Sequence, residues 1–115
     1  MISLNVLFIC SMNKWRSPTA EKIYNKRSSI CARSAGTSSK AKHTVSLADM
    51  KWADIIMVME NKHKQRLKAD YPEAMRFCAV HVLDIPDNYK FMDPELICEL
   101  ESCIDPIIHD FISDK

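Results

Sequence analysis

The sequence predicts an α/β fold in which a four-stranded parallel sheet carries helices on both faces. Two observations point there. Short apolar runs alternate with helix-patterned segments from one end to the other, and neither an internal repeat nor a low-complexity stretch interrupts them. With 115 residues the chain has room for one compact domain, 1–115, and no second core.

Leu4 to Ile9 is apolar except for Asn5 and has the length and composition of a buried strand, ending at Cys10. A polar stretch follows to Arg16. Ser17-Pro18 then predicts a helix start, with Ser as cap and Pro in the first turn, and Ala20, Ile23, Tyr24 and Arg27 keep helical spacing. Ile30 to Ser34 is a second short strand, closed by Ala35-Gly36-Thr37 and a polar loop through Lys42. Ser46 with Asp49 three residues on resembles a capping box and opens a short helix through Trp52. Ile55 to Met59 is the most strand-like run of all. Asn61 is the expected cap of a basic helix over Lys62, His63, Lys64, Gln65, Arg66 and Lys68, which fades before Pro72. Ala79 to Leu83 makes the fourth strand. After the loop from Asp84 to Met92, Asp93-Pro94 repeats the cap-then-Pro signal ahead of a long apolar stripe, Leu96 to Phe111, with Pro106 expected to kink it.

Composition narrows the function classes. Sixteen Lys and Arg against fifteen Asp and Glu leave a net charge of +1, too little for a global field that gathers nucleic acid or an anionic membrane. The apolar run Val6 to Cys10 is far short of the roughly 18 residues of a membrane span. No charged segment with a cleavage site precedes it, so a soluble cytoplasmic protein is expected. Five cysteines without CxxC or a paired Cys/His cluster suit a reducing compartment and predict no structural zinc.

In a parallel sheet ligands bind beyond the carboxyl ends of the strands, next to helix N-termini. That position holds Cys10-Ser11-Met12-Asn13-Lys14-Trp15-Arg16-Ser17. A loop of this length can turn successive N–H groups inward as an anion nest at the positive end of the next helix, and phosphate is its natural occupant. Arg16 can grip two phosphate oxygens, and N–H dipoles, helix end and guanidinium all favour a thiolate at Cys10. The pattern predicts a nucleophile aimed at phosphorus.

Val6-Leu7-Phe8-Ile9-Cys10 through Arg16-Ser17-Pro18-Thr19-Ala20-Glu21 resembles the signature of the low molecular weight protein tyrosine phosphatases. Ser34-Ala35-Gly36-Thr37, Ala53 to Met59 and Asp84-Ile85-Pro86-Asp87-Asn88-Tyr89 resemble further segments of that family, in order. The resemblance implies a flavodoxin-like sheet and phosphomonoester hydrolysis through a cysteinyl-phosphate, without metal or other cofactor. It makes Cys10 the nucleophile, Arg16 the clamp on the phosphoryl group, Ser17 the partner of the thiolate and Asn13 the residue that shapes the loop. Ser11, Met12, Lys14 and Trp15 would complete the phosphate and substrate site, and Tyr89 would join it from the acid loop. The implied partner is a phosphotyrosine protein or a small aryl phosphate.

Two aspartates compete as general acid. Asp93 has the family's Asp-Pro pair but is better explained as a helix cap, so Asp87 is favoured. Met12 stands where the family has Gly, Asn88 where it has Pro, and Lys14-Trp15 replaces a smaller apolar pair. The chain also falls short of typical members after Thr37, where Lys40 to Thr44 remains, which predicts an open cleft with one wall missing. Trp15 suits either the mouth of the site or packing on the scaffold. The departures motivate a second reading, a phosphate-binding module without turnover. A third, a thiol-linked arsenate reductase, would need Cys78, Cys98 or Cys103 in a relay. His63 and the basic helix are expected on a solvated face, and Cys98 and Cys103, on or beside the apolar stripe, are expected to pack in the core.

Overall fold

The computed structural model describes residues 3–113. Four strands, β1 (Leu4–Cys10), β2 (Ile30–Gly36), β3 (Ile55–Val58) and β4 (Val80–Val82), form one sheet in the order β2-β1-β3-β4, every pair parallel. The helices are α1 (Arg16–Tyr24), α2 (Leu47–Trp52), α3 (Asn61–Asp70), α4 (Pro72–Met75) and α5 (Pro94–Ser113).

Period-two alternation along the central strand divides the interior. Val6, Phe8 and Cys10 point to one face with Tyr24 of α1 and Leu96, Leu100 and Ile104 of α5; Leu7 and Ile9 point to the other with Met50 of α2 and Leu67 of α3. Helices therefore cover both faces, and β1, flanked on both sides, delivers Cys10 to the middle of the carboxyl edge. Tyr24 couples α1 to α5: its hydroxyl donates to Asp105 at 2.5 Å, Arg27 meets the same carboxylate at 2.8 Å, and the guanidinium lies 4.5 Å over the Tyr24 ring.

Local signals were sound where one side chain decides the outcome. Ser46 and Asp49 form the capping box of α2, and Asp93 caps α5 by accepting the Glu95 N–H at 2.9 Å. Two readings need correction, and one short helix was not anticipated. Helix α1 starts at Arg16 with Trp15 as N-cap, and Ser17 lies inside the first turn, its hydroxyl turned towards the Cys10 sulfur. Glu60, not Asn61, is the N-cap residue of α3. Pro72 stops α3 but also takes the first position of the extra turn α4, the one place in a helix where a missing N–H costs nothing. Pro106 sits within α5, which continues to Ser113.

Candidate active site

Residues 11–15 make the turn between β1 and α1 with their backbone inside out. The carbonyls of Cys10, Ser11 and Met12 accept the N–H groups of Thr37, Ser38 and Lys42 at 3.0 Å each. Among the described residues, no backbone N–H from Ser11 to Trp15 has a protein acceptor. An array of unused N–H groups at a helix start is an anion nest. Asn13, with φ of 54°, makes the left-handed bend this curl requires.

A polar chain fixes the sulfur from below. The Asn13 amide donates to Ser34 at 2.9 Å and to the Ser17 hydroxyl at 3.0 Å; Ser34 donates onward to Glu21 at 2.5 Å. With its oxygen accepting from Asn13, Ser17 keeps its own proton for the Cys10 sulfur 2.9 Å away, the Ala35 carbonyl being farther at 3.4 Å. Gly36, level with Cys10 in β2, permits this packing: a Cβ there would lie 2.5 Å from the Ser11 carbonyl oxygen and 2.6 Å from the Ala41 Cβ.

Arg16 is 2% exposed. Its Nη1 donates to Glu60 Oε1 at 2.5 Å and to the Ile85 carbonyl at 2.9 Å, and its Nε lies 3.6 Å from Asp87 Oδ1. The sheet brings these partners together. Glu60 follows β3, and the segment after β4 stays beside β3 through Leu83 and Ile85 N–H bonds to the carbonyls of Val58 and Met59. Burial pushes the Glu60 carboxyl up, but its hydrogen bond to Arg16 and that cation's charge outweigh this and hold it below its usual range.

A hollow of about 250 Å³ opens above the sulfur, lined by Cys10, Ser11, Met12, Lys14, Trp15, Arg16 and Asp87. Trp15 is thus at the mouth, with the Lys14 ammonium 4.9 Å over its ring. Asp87 faces this site, whereas Asp93 is occupied as the cap of α5. The segment 37–44 contributes no residue to the hollow's lining and instead braces the outer side of the loop. A second, wider hollow of about 550 Å³ lies behind the loop, between Glu21 of α1 and Lys42 and His43.

Several expected placements differ. Tyr89 is away from the sulfur, packed against the α5 side of the core and lining a separate hollow with Glu95, Cys98 and Glu99. Cys98 is exposed rather than packed in the core, while Cys103 is half-buried with its thiol 3.8 Å from the Leu83 carbonyl. His63 is not on the solvated face of α3 but buried beneath the loop, its Nε2 2.8 Å from the Ser11 hydroxyl and its Nδ1 accepting the Glu60 N–H at 3.0 Å. Sequence reasoning missed Glu60 and His63 as site residues. The one available signal was Glu60's place directly after a buried strand, at the edge where such sheets bind ligands. Among the described residues, no group of three or more His, Cys, Asp or Glu is arranged to hold a metal ion.

Burial, and next the charge of Arg16, holds the His63 imidazole down at about 4, against an ordinary value of 6.5. The unfolded chain therefore binds this proton more readily than the fold. His63 costs the fold nothing above pH 6.5, and stability falls as pH drops from there towards 4, by up to about 3 kcal/mol. Urea unfolding at pH 7.5, 6 and 5 should show this decline, and His63→Gln should flatten it.

The fold, with the loop in its place between β1 and α1, is similar to that of solved low molecular weight protein tyrosine phosphatases. Among solved structures, the low molecular weight protein tyrosine phosphatase from T. tengcongensis is similar at 25% identity and a TM-score of 0.77, covering 94% of this chain and 99% of that one. The YwlE arginine phosphatase from Geobacillus stearothermophilus is similar at 21% identity and a TM-score of 0.74, covering 96% and 94%. The tyrosine phosphatase Wzb from Escherichia coli K30, in complex with phosphate, is similar at 21% identity and a TM-score of 0.73, covering 96% and 99%. No protein-family model matches the sequence, and no curated protein does.

Proposed function

We propose that the chain is a cysteine-dependent phosphomonoester hydrolase, a protein tyrosine phosphatase of the low molecular weight type, acting on phosphotyrosine proteins or small aryl phosphates. One observation carries it: the Cys10 sulfur lies on the floor of a loop of unpartnered N–H groups, with a hydroxyl 2.9 Å away and Arg16 at the rim. Phosphoryl transfer needs little beyond such positioning and charge stabilisation.

The phosphoryl oxygens occupy the N–H nest and the guanidinium edge, and the Cys10 thiolate attacks phosphorus in line with the leaving oxygen. The S–P bond forms as the P–O bond breaks, and Asp87 gives its carboxyl proton to the departing aryl oxygen. Water then attacks the cysteinyl-phosphate, returns a proton to Asp87 and releases inorganic phosphate and the thiolate, which the Ser17 hydroxyl stabilises. Met12 and Trp15 offer an apolar rim to an aromatic ring.

The test is p-nitrophenyl phosphate hydrolysis across pH, with Cys10→Ser as the blank. Asp87→Asn should lower kcat by roughly 10²-fold or more and remove the basic limb of the profile, the size usual for a general acid. Asp93→Asn should leave kcat within about threefold, since an Asn Oδ1 keeps the cap of α5. Equal losses in the two variants would overturn the assignment of Asp87.

The binding-module reading draws on Met12, which is 42% exposed at the mouth. It predicts vanadate binding with no hydrolysis above the blank. The arsenate reductase reading is not favoured: Cys78, Cys98 and Cys103 contribute nothing to the hollow over Cys10, and Cys78 packs on the opposite face of the sheet from Cys103. Five free thiols favour the cytoplasm, and no described helix is long and apolar enough to cross a membrane.

A further inference from the structure

The buried His63 has no step in the chemistry above, yet it touches both halves of the site. Its Nδ1 accepts the Glu60 N–H at 3.0 Å, so the neutral ring carries its proton on Nε2 and donates it to the Ser11 hydroxyl at 2.8 Å. Ser11 therefore keeps its own proton, and Ser11 lines the hollow over Cys10. Glu60, whose amide the ring holds, is the residue whose carboxylate grips Arg16. One imidazole thus joins the second residue of the anion loop to the residue that orients the arginine, across 52 positions of sequence.

We propose that His63 is a positioning residue for the phosphoryl site: Nδ1 fixes the backbone that carries Glu60, and Nε2–H fixes the Ser11 hydroxyl so that its proton meets a phosphoryl oxygen held in the loop. The rate consequences rest on the phosphatase reading; the affinity consequences rest only on anion binding. The charged groups facing the ring are Arg16 at the start of α1, Glu60 and Lys62 at the start of α3, and Asp87 from the loop after β4. Protonation would turn Nδ1 from an acceptor into a donor facing the Glu60 N–H and add a cation beside Arg16, so the Glu60 link would fail while the Nε2 donor to Ser11 stayed in place.

Two substitutions separate the links. His63→Asn sets a short carboxamide near the Nδ1 position, keeping an acceptor for Glu60 and dropping the donor to Ser11. His63→Gln extends the carboxamide towards the Nε2 position and keeps that donor. Vanadate affinity by calorimetry and kcat/KM for p-nitrophenyl phosphate are measured for the native chain, both variants, Ser11→Ala and the Ser11→Ala/His63→Asn pair.

His63→Asn and Ser11→Ala should each weaken vanadate binding and kcat/KM by about tenfold, the worth of one hydrogen bond, and the double variant should be no worse than either. His63→Gln, which keeps the donor to Ser11 but drops the acceptor for Glu60, should weaken both by only a few-fold, less than His63→Asn does. A His63 that merely stabilises the fold would lower the melting temperature and leave vanadate affinity near native, and a His63 acting independently of Ser11 would add its loss to that of Ser11→Ala; either result overturns the proposal. A native chain that binds vanadate but turns over nothing above the Cys10→Ser blank removes the phosphatase reading, and the vanadate cycle still decides His63. A native chain that does not bind vanadate overturns both.

Discussion

Arg16→Lys is expected to lower kcat/KM for p-nitrophenyl phosphate by roughly 10³-fold or more, the scale seen when a phosphoryl-clamping arginine is lost. The physical reason is shape. A guanidinium holds a pair of phosphoryl oxygens with one edge while its remaining N–H groups stay bonded elsewhere, and an ammonium is a single point of charge on a flexible stem. In the fold those other N–H groups are committed to the Glu60 carboxylate and the Ile85 carbonyl, with Asp87 close to Nε. Lysine cannot satisfy this set and face the loop at once. The variant should therefore also lose about 1–3 kcal/mol of stability, because the buried Ile85 carbonyl loses its donor and Glu60 loses its charge-assisted partner. Urea unfolding beside the kinetic assay separates the two effects. A variant with near-native kcat/KM would remove Arg16 from the phosphoryl site.

Gly36→Ala is the second large effect. The added methyl would sit 2.5 Å from the Ser11 carbonyl oxygen, 2.6 Å from the Ala41 Cβ and 3.0 Å from the Asn13 nitrogen. Two of these neighbours are backbone atoms of the anion loop, and the third is a side chain too short to swing away. Relief comes only by moving the loop off β2. Displacement of about 1 Å moves the nest relative to the sulfur, so kcat/KM should fall by roughly 10²-fold. Overpacking of this kind costs about 1–3 kcal/mol, and the melting temperature should drop by roughly 5–15 °C. A Gly36→Ala variant with native activity and melting temperature would show that the loop does not need this close approach.

The sequence made the scaffold legible because the decisive signals were local. The short apolar run Leu4 to Ile9, the Ser46/Asp49 pair and the Asp93-Pro94 pair each act within a few residues, and each lies where the pattern places it. Ser17 was expected both as a helix cap and as the partner of the thiolate, two jobs that compete for one hydroxyl. Capping is the commoner use, but the sulfur 2.9 Å away claims it. Tyr89 was expected at the site from the resemblance of the acid loop, yet two residues of irregular chain after Asp87 are enough to turn the ring towards the core beside α5. Glu60 and His63 were invisible for a different reason. They meet Arg16 and Ser11 only because β3 lies beside β1, which places partners 44 and 52 residues apart within hydrogen-bond reach. A charged helix face is the usual meaning of a run such as Lys62 to Lys68, and nothing in that run distinguishes the one ring that turns inward.

An all-parallel sheet also governs when during synthesis such a site can exist. Parallel neighbours cannot be joined by a tight turn, so each pairing waits for a crossover to be made. A nascent chain that has reached β2 already contains Cys10, Arg16 and Ser17, but neither the carboxylate nor the carbonyl that seats the guanidinium has yet been translated. Arg16 acquires its last partners only when residues 85 and 87 arrive beside β3. The thiol is thus present on the ribosome for most of translation without the arginine geometry that would direct it at a phosphate ester.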